Sequence, residues 1–237
     1  MIIHTKAIVL RAIKFKDSSL IVKCYTEQGV KSYIIKGILG RKKAKIKAAF
    51  FQTLNLLDIV ANHNDKGSLN TLKEVRLSYA YTTIPSDIIK QSLVMFLSEV
   101  LNFSLQEEEA NPELFNFLFN SFQFLDTQEK APNFHLLFLI NLTKYLGFYP
   151  YRQYFDFNYF NLQEGVFQNK PSPTAITGKN LTLFKALLGT DFDTMDNLKL
   201  NKEQRQNLLE ILINYFELHL SGFRKLNSIP ILKSVFS

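Results

Sequence analysis

Apolar and polar residues alternate along the first eighty positions, with the two-residue period of half-buried β-strands. The alternation predicts strands over 3–15, 18–26, 30–36, 50–61 and 69–81. Glu27, Gln28 and Gly29 supply a turn between the second and third strands. Gly37 and Gly40 loosen the chain after the third, and Asn62 to Gly67 is a strong turn signal before the fifth. Five strands in about eighty residues fit a small closed barrel, and the OB-fold is the obvious candidate.

The period changes from two to 3.6 after Pro85. Ser86 is placed to cap a helix running to about Phe103, with Leu93, Phe96, Leu97 and Val100 on its apolar side. Asn111, Pro112 and Glu113 open a second helix as cap, first-turn proline and dipole-facing acid, and it should end near Leu125. Pro132 or Asn133 opens a third, apolar nearly all round from Phe134 to Leu146 and therefore central, with Gly147 as its C-terminal cap. Residues 148–180 carry Pro150, Pro171, Pro173, Gly165 and Gly178, which predicts a loop-rich insertion with room for a short hairpin. A short helix follows over 181–188, a long one from Asn201 or Lys202, and a last short one over 229–235. The expected fold class is multidomain β plus α. An OB-fold barrel is expected over 1–81, and an all-α helical domain with the irregular insertion over 82–237.

Charge sharpens this division. The chain has 237 residues and a net charge of +7. Residues 1–81 hold 15 Lys or Arg against 5 Asp or Glu, a net of +10, and the remainder holds 13 against 16, a net of −3. From Lys36 to Lys47, six of twelve residues are basic, namely Lys36, Arg41, Lys42, Lys43, Lys45 and Lys47. No Asp or Glu occurs between Val30 and Leu57. Such a run between two strands reads either as a solvated loop or as a grip for a phosphate backbone. Lys6, Arg11, Lys14, Lys16, Lys23 and Lys31 add positive charge on other barrel segments, which favours the second reading. Phe15, Tyr25, Tyr33, Phe50 and Phe51 interleave with these cations as candidates for stacking on bases. Adjacent strand residues face opposite ways, so of Phe50 and Phe51 one is expected inside the barrel and the other outside.

Catalytic chemistry finds little support. The chain lacks Walker, paired-glycine dinucleotide and His-Glu-x-x-His sequences. His4, His63, His135 and His219 are scattered, and Cys24 is the one cysteine, which leaves no internal disulfide and no cysteine-based zinc cluster. The Glu107, Glu108 and Glu109 run reads as solvated, and Asp191, Asp193 and Asp196 lack the glycine and glutamate of a calcium loop. No cofactor or metal is expected. No uninterrupted apolar stretch of membrane-spanning length and no signal-peptide layout occur, so the expected setting is the cytoplasm.

A series of segments runs along nearly the whole chain, from Thr5 to Arg11 through Tyr25 to Gly29, Lys36 and Gly37. It resumes at Asn111 to Phe115 and at Tyr145 to Phe148 followed by Pro150. It ends with Tyr215 to Leu220, Gly222 to Arg224, Ser228 and Leu232. In the order and spacing of these segments the sequence resembles the RecO family of bacterial recombination mediators. The resemblance implies an N-terminal OB-fold, a helical C-terminal domain, binding of single- and double-stranded DNA at the nucleoid, and annealing of complementary strands. It also implies partnership with RecR and with the acidic, Phe-ending C-terminal tail of the single-stranded DNA-binding protein SSB. Many family members carry a four-cysteine zinc motif in the irregular segment. Residues 151–180 here contain no Cys, so that segment is expected to be held by packing of Tyr154, Phe155, Phe157, Tyr159, Phe160 and Phe167.

The expected DNA-binding residues are Arg11, Lys14, Lys36, Arg41, Lys42, Lys43, Lys45 and Lys47. Lys130, Lys144 and Arg152, the cations nearest the apolar third helix, are the expected contacts for the SSB tail. The expected activity is a non-enzymatic mediator of DNA repair, with no membrane partner. An RNA-binding or ribosome-associated OB module is the alternative, and a nuclease is disfavoured because no acidic cluster suits magnesium.

Overall fold

The computed structural model describes residues 1–39, 46–63, 69–105 and 109–236. The chain divides into two compact units, Met1–Thr127 and Gln128–Ser237.

The first unit contains a closed barrel of β1 (Ile2–Phe15), β2 (Ser19–Thr26), β3 (Gly29–Ile35), β4 (Leu56–Asn62) and β5 (Asn70–Tyr79). The strand order around it is β1-β2-β3-β5-β4, with β4 closing back on β1. All neighbours are antiparallel except β3 and β5, which pair in parallel through Tyr33 with Asn70 and Ile34 with Thr71. The expected barrel is therefore present, and its strand order is that of an OB-fold. Ile3, Ala7 and Val9 of β1 point inward with Val22, Cys24, Tyr33, Ile35, Leu57, Ile59 and Ala61. A bulge between Val9 and Arg11 then shifts the register against β2.

The fourth strand begins later than its sequence predicts. Ala48–Phe51 forms a 3-10 turn, and β4 starts only at Leu56. The interruption is tertiary in origin. Leu54 takes a left-handed backbone with φ of 59°, a conformation that disfavours most side chains by about 1 kcal/mol or more. It is pinned there because its N–H donates to Val9 at 2.7 Å while the N–H of Val9 donates to Asn55 at 3.1 Å. Asn55 also turns its side-chain amide back onto the carbonyls of Ala49 and Phe50. The opposite-face expectation for Phe50 and Phe51 falls with the strand. Phe51 is buried and Phe50 half-buried, and both pack against the barrel core.

Two helices complete this unit, α1 (Ile88–Ser104) and α2 (Pro112–Thr127). The cap of α1 is Asp87 rather than Ser86, because Pro85 and Ser86 lie in a preceding 3-10 turn over Ile84–Ser86. The Asp87 carboxylate accepts from the N–H groups of Ile89 and Lys90. Asn111 caps α2 as expected, accepting from Leu114 at 2.9 Å. Burial of Leu93, Phe96, Leu97, Val100 and Leu101 on α1 stabilises the unit by about 1.5–3 kcal/mol per large side chain. Ile8 faces away from the barrel core yet is fully buried, because α1 packs against β1.

The second unit centres on α3 (Phe134–Tyr145), which is buried on almost every side. Gly147, at φ of 84°, ends it, and the N–H of Phe148 reaches back to the carbonyl of Thr143. The segment read as a loop-rich insertion holds a three-stranded antiparallel sheet of β6 (Tyr159–Asn161), β7 (Val166–Gln168) and β8 (Ala175–Thr177), in the order β7-β6-β8. Then come α4 (Gly178–Leu188), a 3-10 turn over Phe192–Asn197, α5 (Lys202–His219) and α6 (Ile229–Val235). Asn201 and Gln204 form a reciprocal capping box at the start of α5.

Candidate nucleic-acid interface

The barrel register gathers part of the expected cationic set at one end. Lys14 on β1 is paired with Leu20 on β2, and Leu20 is paired in turn with Ile35, the last residue of β3. Lys14, Lys16 in the β1–β2 turn and Lys36 just beyond β3 therefore lie at the barrel end where β3 leaves, and all three are exposed. The N–H of Leu39 ties the departing chain to the carbonyl of Ser18 in that turn. One acid, Asp17, shares the turn. Arg41, Lys42, Lys43 and Lys45 lie outside the described residues. Lys47, exposed at the far end of the basic run, precedes the 3-10 turn.

Arg11 and Lys14 do not share a face, being three residues apart on one strand. Arg11 is paired across the strands with Lys23. Lys23 has a different task, since its Nζ donates to the carbonyls of Asn102 at 3.1 Å and Leu105 at 3.2 Å. Those carbonyls lie at the C-terminal end of α1, where the helix dipole favours a cation. Burial and the positive charge of Arg11 hold the Lys23 ammonium below the usual lysine range. Lys6 lies 4.8 Å above the ring of Phe119 on α2. The barrel's positive charge is thus divided between an open end and residues that dock its own helices.

The aromatic candidates divide as well. Tyr25 and Tyr33 are buried, so they are not available for stacking. Tyr33 shares a hydrogen bond of 2.9 Å with His63 Nε2, and Tyr25 stacks on Phe115 of α2. Phe15 is half-buried with Lys16 5.5 Å from its ring. Two rings that the strand pattern did not mark out line a surface cleft of about 290 Å³ with Phe50, Leu77 and Lys47, namely Tyr79 and Tyr81. Both are locked. Tyr81 donates to the carbonyl of Leu54 at 2.8 Å, and Tyr79 donates to the carboxylate of Asp126 at 3.2 Å.

Asp126 is fully buried near the C-terminal end of α2. Its two oxygens accept the N–H groups of Thr82, Thr83 and Ile84, each at 2.9 Å, and the hydroxyls of Thr82 and Thr83. Burial alone would raise its pKa, but these donors outweigh burial and hold the carboxyl at about 2. The hydroxyl of Thr83 and the ammonium of Lys90 also donate to the Asp126 backbone carbonyl. The connection from β5 to α1 is fastened to α2 through this one residue.

In the second unit the expected partner-binding cations lie before α3, at its last turn and just after it. Lys130 is exposed before α3. Lys144 donates to Asn141 and sits 4.9 Å over the ring of Tyr149, and Arg152 sits 5.4 Å from the ring of Phe155. A different constellation combines cations with an apolar wall. Lys202, Arg205 and Lys233 surround a small pocket lined also by His135, Leu209, Leu232 and Phe236. The Phe236 ring packs 5.5 Å from His135 and 5.7 Å from the Arg205 guanidinium. These residues come from three separated segments, so no local pattern marks them.

Zinc finds no Cys or His ligand in the irregular segment, since residues 151–180 contain neither. Phe160 packs at 4.8 Å from both Phe167 and Phe184, and Phe155 at 5.0 Å from Phe167. Tyr154 stacks on Phe157 at 4.9 Å. Among the described residues no group of three His, Cys, Asp or Glu is placed to hold a metal ion. The Cys24 thiol is buried and pushed up to about 12, which removes it as a nucleophile. No helix among the described residues is long and apolar enough to cross a membrane.

The barrel and the helices after it define the class, an OB-fold protein with a basic barrel and a helical C-terminal region. Comparison with known proteins is specific. Residues 1–81 match the model of the recombination protein O N terminal domain, and 85–228 match that of its C terminal domain. The chain is 47% identical to the DNA repair protein RecO of Christiangramia forsetii and 44% identical to that of Flavobacterium johnsoniae, over the full length of both chains in each case. It is 33% identical to the DNA repair protein RecO of Bacteroides fragilis, again over both full lengths. The chain belongs to the RecO family, and its function lies in DNA repair and recombination.

Proposed function

We propose that this protein is a non-enzymatic recombination mediator. It binds single- and double-stranded DNA, anneals complementary strands and, with RecR, helps load a recombinase on DNA coated by SSB. The barrel, residues 1–81, is the DNA-binding domain, and residues 82–237 are the helical domain that receives a protein partner. The observation that carries this reading is the position of Lys14 at the barrel end from which the basic run departs, with exposed Lys16 in the adjoining turn and exposed Lys36 just beyond β3. Cations there neutralise phosphates of two strands and so reduce the repulsion that opposes pairing. Arg41, Lys42, Lys43, Lys45 and Lys47 extend that grip, and Arg11 adds to it from the outer face of β1. Contacts of this kind hold a backbone without reading sequence, which suits annealing.

For the acidic tail of SSB the helical unit offers two cationic surfaces. Lys144 and Arg152 belong to one, near the C-terminal end of α3, while Lys130 is a separate charge before its N-terminal end. The pocket ringed by Lys202, Arg205 and Lys233 forms the other, where Lys202 and Arg205 stand beside an apolar wall that includes Phe236, and Lys233 is also paired with Glu210. Cations beside an apolar wall are the groups that a carboxylate and an aromatic ring would meet.

The test is an annealing assay on complementary strands, naked or coated with SSB that has or lacks its tail. Annealing of naked strands, and of coated strands only when the tail is present, is the expected result. Annealing confined to naked DNA would remove the mediator role, and absence of DNA binding would remove the whole proposal.

A further inference from the structure

The cleft beside the 3-10 turn has features that phosphate binding does not require. Its walls are Phe50, Leu77, Tyr79 and Tyr81, with Lys47 at the rim. Leu77 is 41% exposed, an apolar strand residue left facing solvent. The two tyrosines meet edge to face with ring centroids 5.6 Å apart, and each hydroxyl is fixed to a partner. The rings are therefore held in place before any ligand arrives. The backbone under them is strained at Leu54, whose carbonyl holds Tyr81. Strained backbone retained beside an open aromatic cleft is typical of a binding site.

We infer that unpaired bases of a single strand stack in this cleft, with their phosphates passing over Lys47. The inference rests on the DNA-binding reading above and adds a base-contacting site to it. Charge complementarity selects the occupant. The cleft opens beside Lys47, the last cation of a run that contains no acid from Val30 to Leu57, so a polyanion held at Lys47 also meets the rings. Single-stranded nucleic acid combines that charge with exposed π-faces. A duplex carries the same charge but keeps its base faces stacked internally, so it gains nothing from the cleft.

The experiment compares wild type and Leu77→Gln on a fluorescently labelled oligothymidine and on a duplex of equal length. A neutral amide at this exposed position removes the apolar wall without changing the charge and with little effect on folding, which a thermal melt checks. The variant should bind the single strand about tenfold more weakly, the worth of roughly one base stack, and bind the duplex within twofold of wild type. Photocrosslinking of wild type to an iododeoxyuridine-substituted strand, read by mass spectrometry, should label Phe50, Tyr79 or Tyr81. Equal binding of the single strand by both proteins, an equal weakening on duplex, or crosslinks that map only elsewhere would overturn the cleft assignment. If wild type binds neither nucleic acid, the DNA-binding reading itself fails, and the two failures are thereby distinct.

Discussion

The ammonium of Lys23 on β2 donates to the carbonyl of Asn102 in the last turn of α1, 3.1 Å away. A barrel cation is thus built into the fold and is not part of the open charge. Replacing it separates the two roles. Lys23→Met keeps the stem and removes the charge, and should lower the unfolding free energy by about 1–2 kcal/mol. The salt dependence of DNA binding should stay as in wild type. A changed slope at full stability would mean that Lys23 touches phosphate.

Neutralising Arg41, Lys42, Lys43, Lys45 and Lys47 to glutamine should do the reverse. Stability should hold, and the log–log salt dependence of DNA affinity should flatten by about 0.7–0.9 for each phosphate left without its cation. An unchanged slope would show that the run serves something other than DNA.

Asp126 makes the first unit acid-sensitive. Its folded pKa, about 2, lies below the ordinary aspartate value of 3.8. The carboxylate form is the one the fold prefers, so its stabilisation is complete above about pH 4 and lost as pH falls toward 2. The shift corresponds to about 2 kcal/mol. Asp126→Asn turns an amide N–H toward backbone donors and should cost about 2 kcal/mol or more at pH 7. Urea melts of the two proteins should converge as pH falls to 2, and a gap that does not narrow would count against this account.

His135 acts on the second unit in a different range. Burial first, and the charge of Arg205 second, hold its pKa at about 3 against the ordinary histidine value of 6.5. The folded chain keeps the ring neutral while the unfolded chain protonates it. Its contribution to stability is therefore full above about pH 6.5 and declines below that by about 1.4 kcal/mol per pH unit. His135→Gln should flatten the stability profile between pH 6.5 and 4, and an unaltered slope would exclude His135 as its source.

Gly165 turns the β6–β7 connection at φ of 67°, and a Cβ there would lie 2.8 Å from the hydroxyl of Tyr215. That hydroxyl is itself committed to the carbonyl of Phe148 at 2.7 Å. Gly165→Ala should cost about 1–3 kcal/mol in a thermal or urea melt. Wild-type stability would show that the turn relaxes without strain.

Much of this arrangement could be read from local pattern. Alternation located the five barrel strands, and Asn111 with Pro112 marked the start of α2 because cap chemistry is local. The pattern misleads where distant residues decide. Phe50 to Ala61 looks like one strand, and only the bonds from Leu54 and Asn55 to Val9 break it. β6, β7 and β8 have three residues each, too few for a period to register. Ser86 is as good a cap by type as Asp87, but Pro85 commits it to the turn before the helix. The basic run was visible as composition. Tyr79 and Tyr81 read as ordinary strand aromatics, because nothing in a sequence tells which rings a cleft leaves open. The cations around Phe236 were hidden for a similar reason, since Lys202, Arg205 and Lys233 converge only in three dimensions.

The seam between β3 and β5, short as it is, has a consequence for behaviour in a crowd. Because β1 meets β4 and β3 meets β5, the barrel sheet is a ring and not a ribbon. Where Tyr33 meets Asn70 and Ile34 meets Thr71, the backbone amides and carbonyls are turned toward one another, which withdraws that stretch of the barrel as a template for pairing with a neighbouring copy.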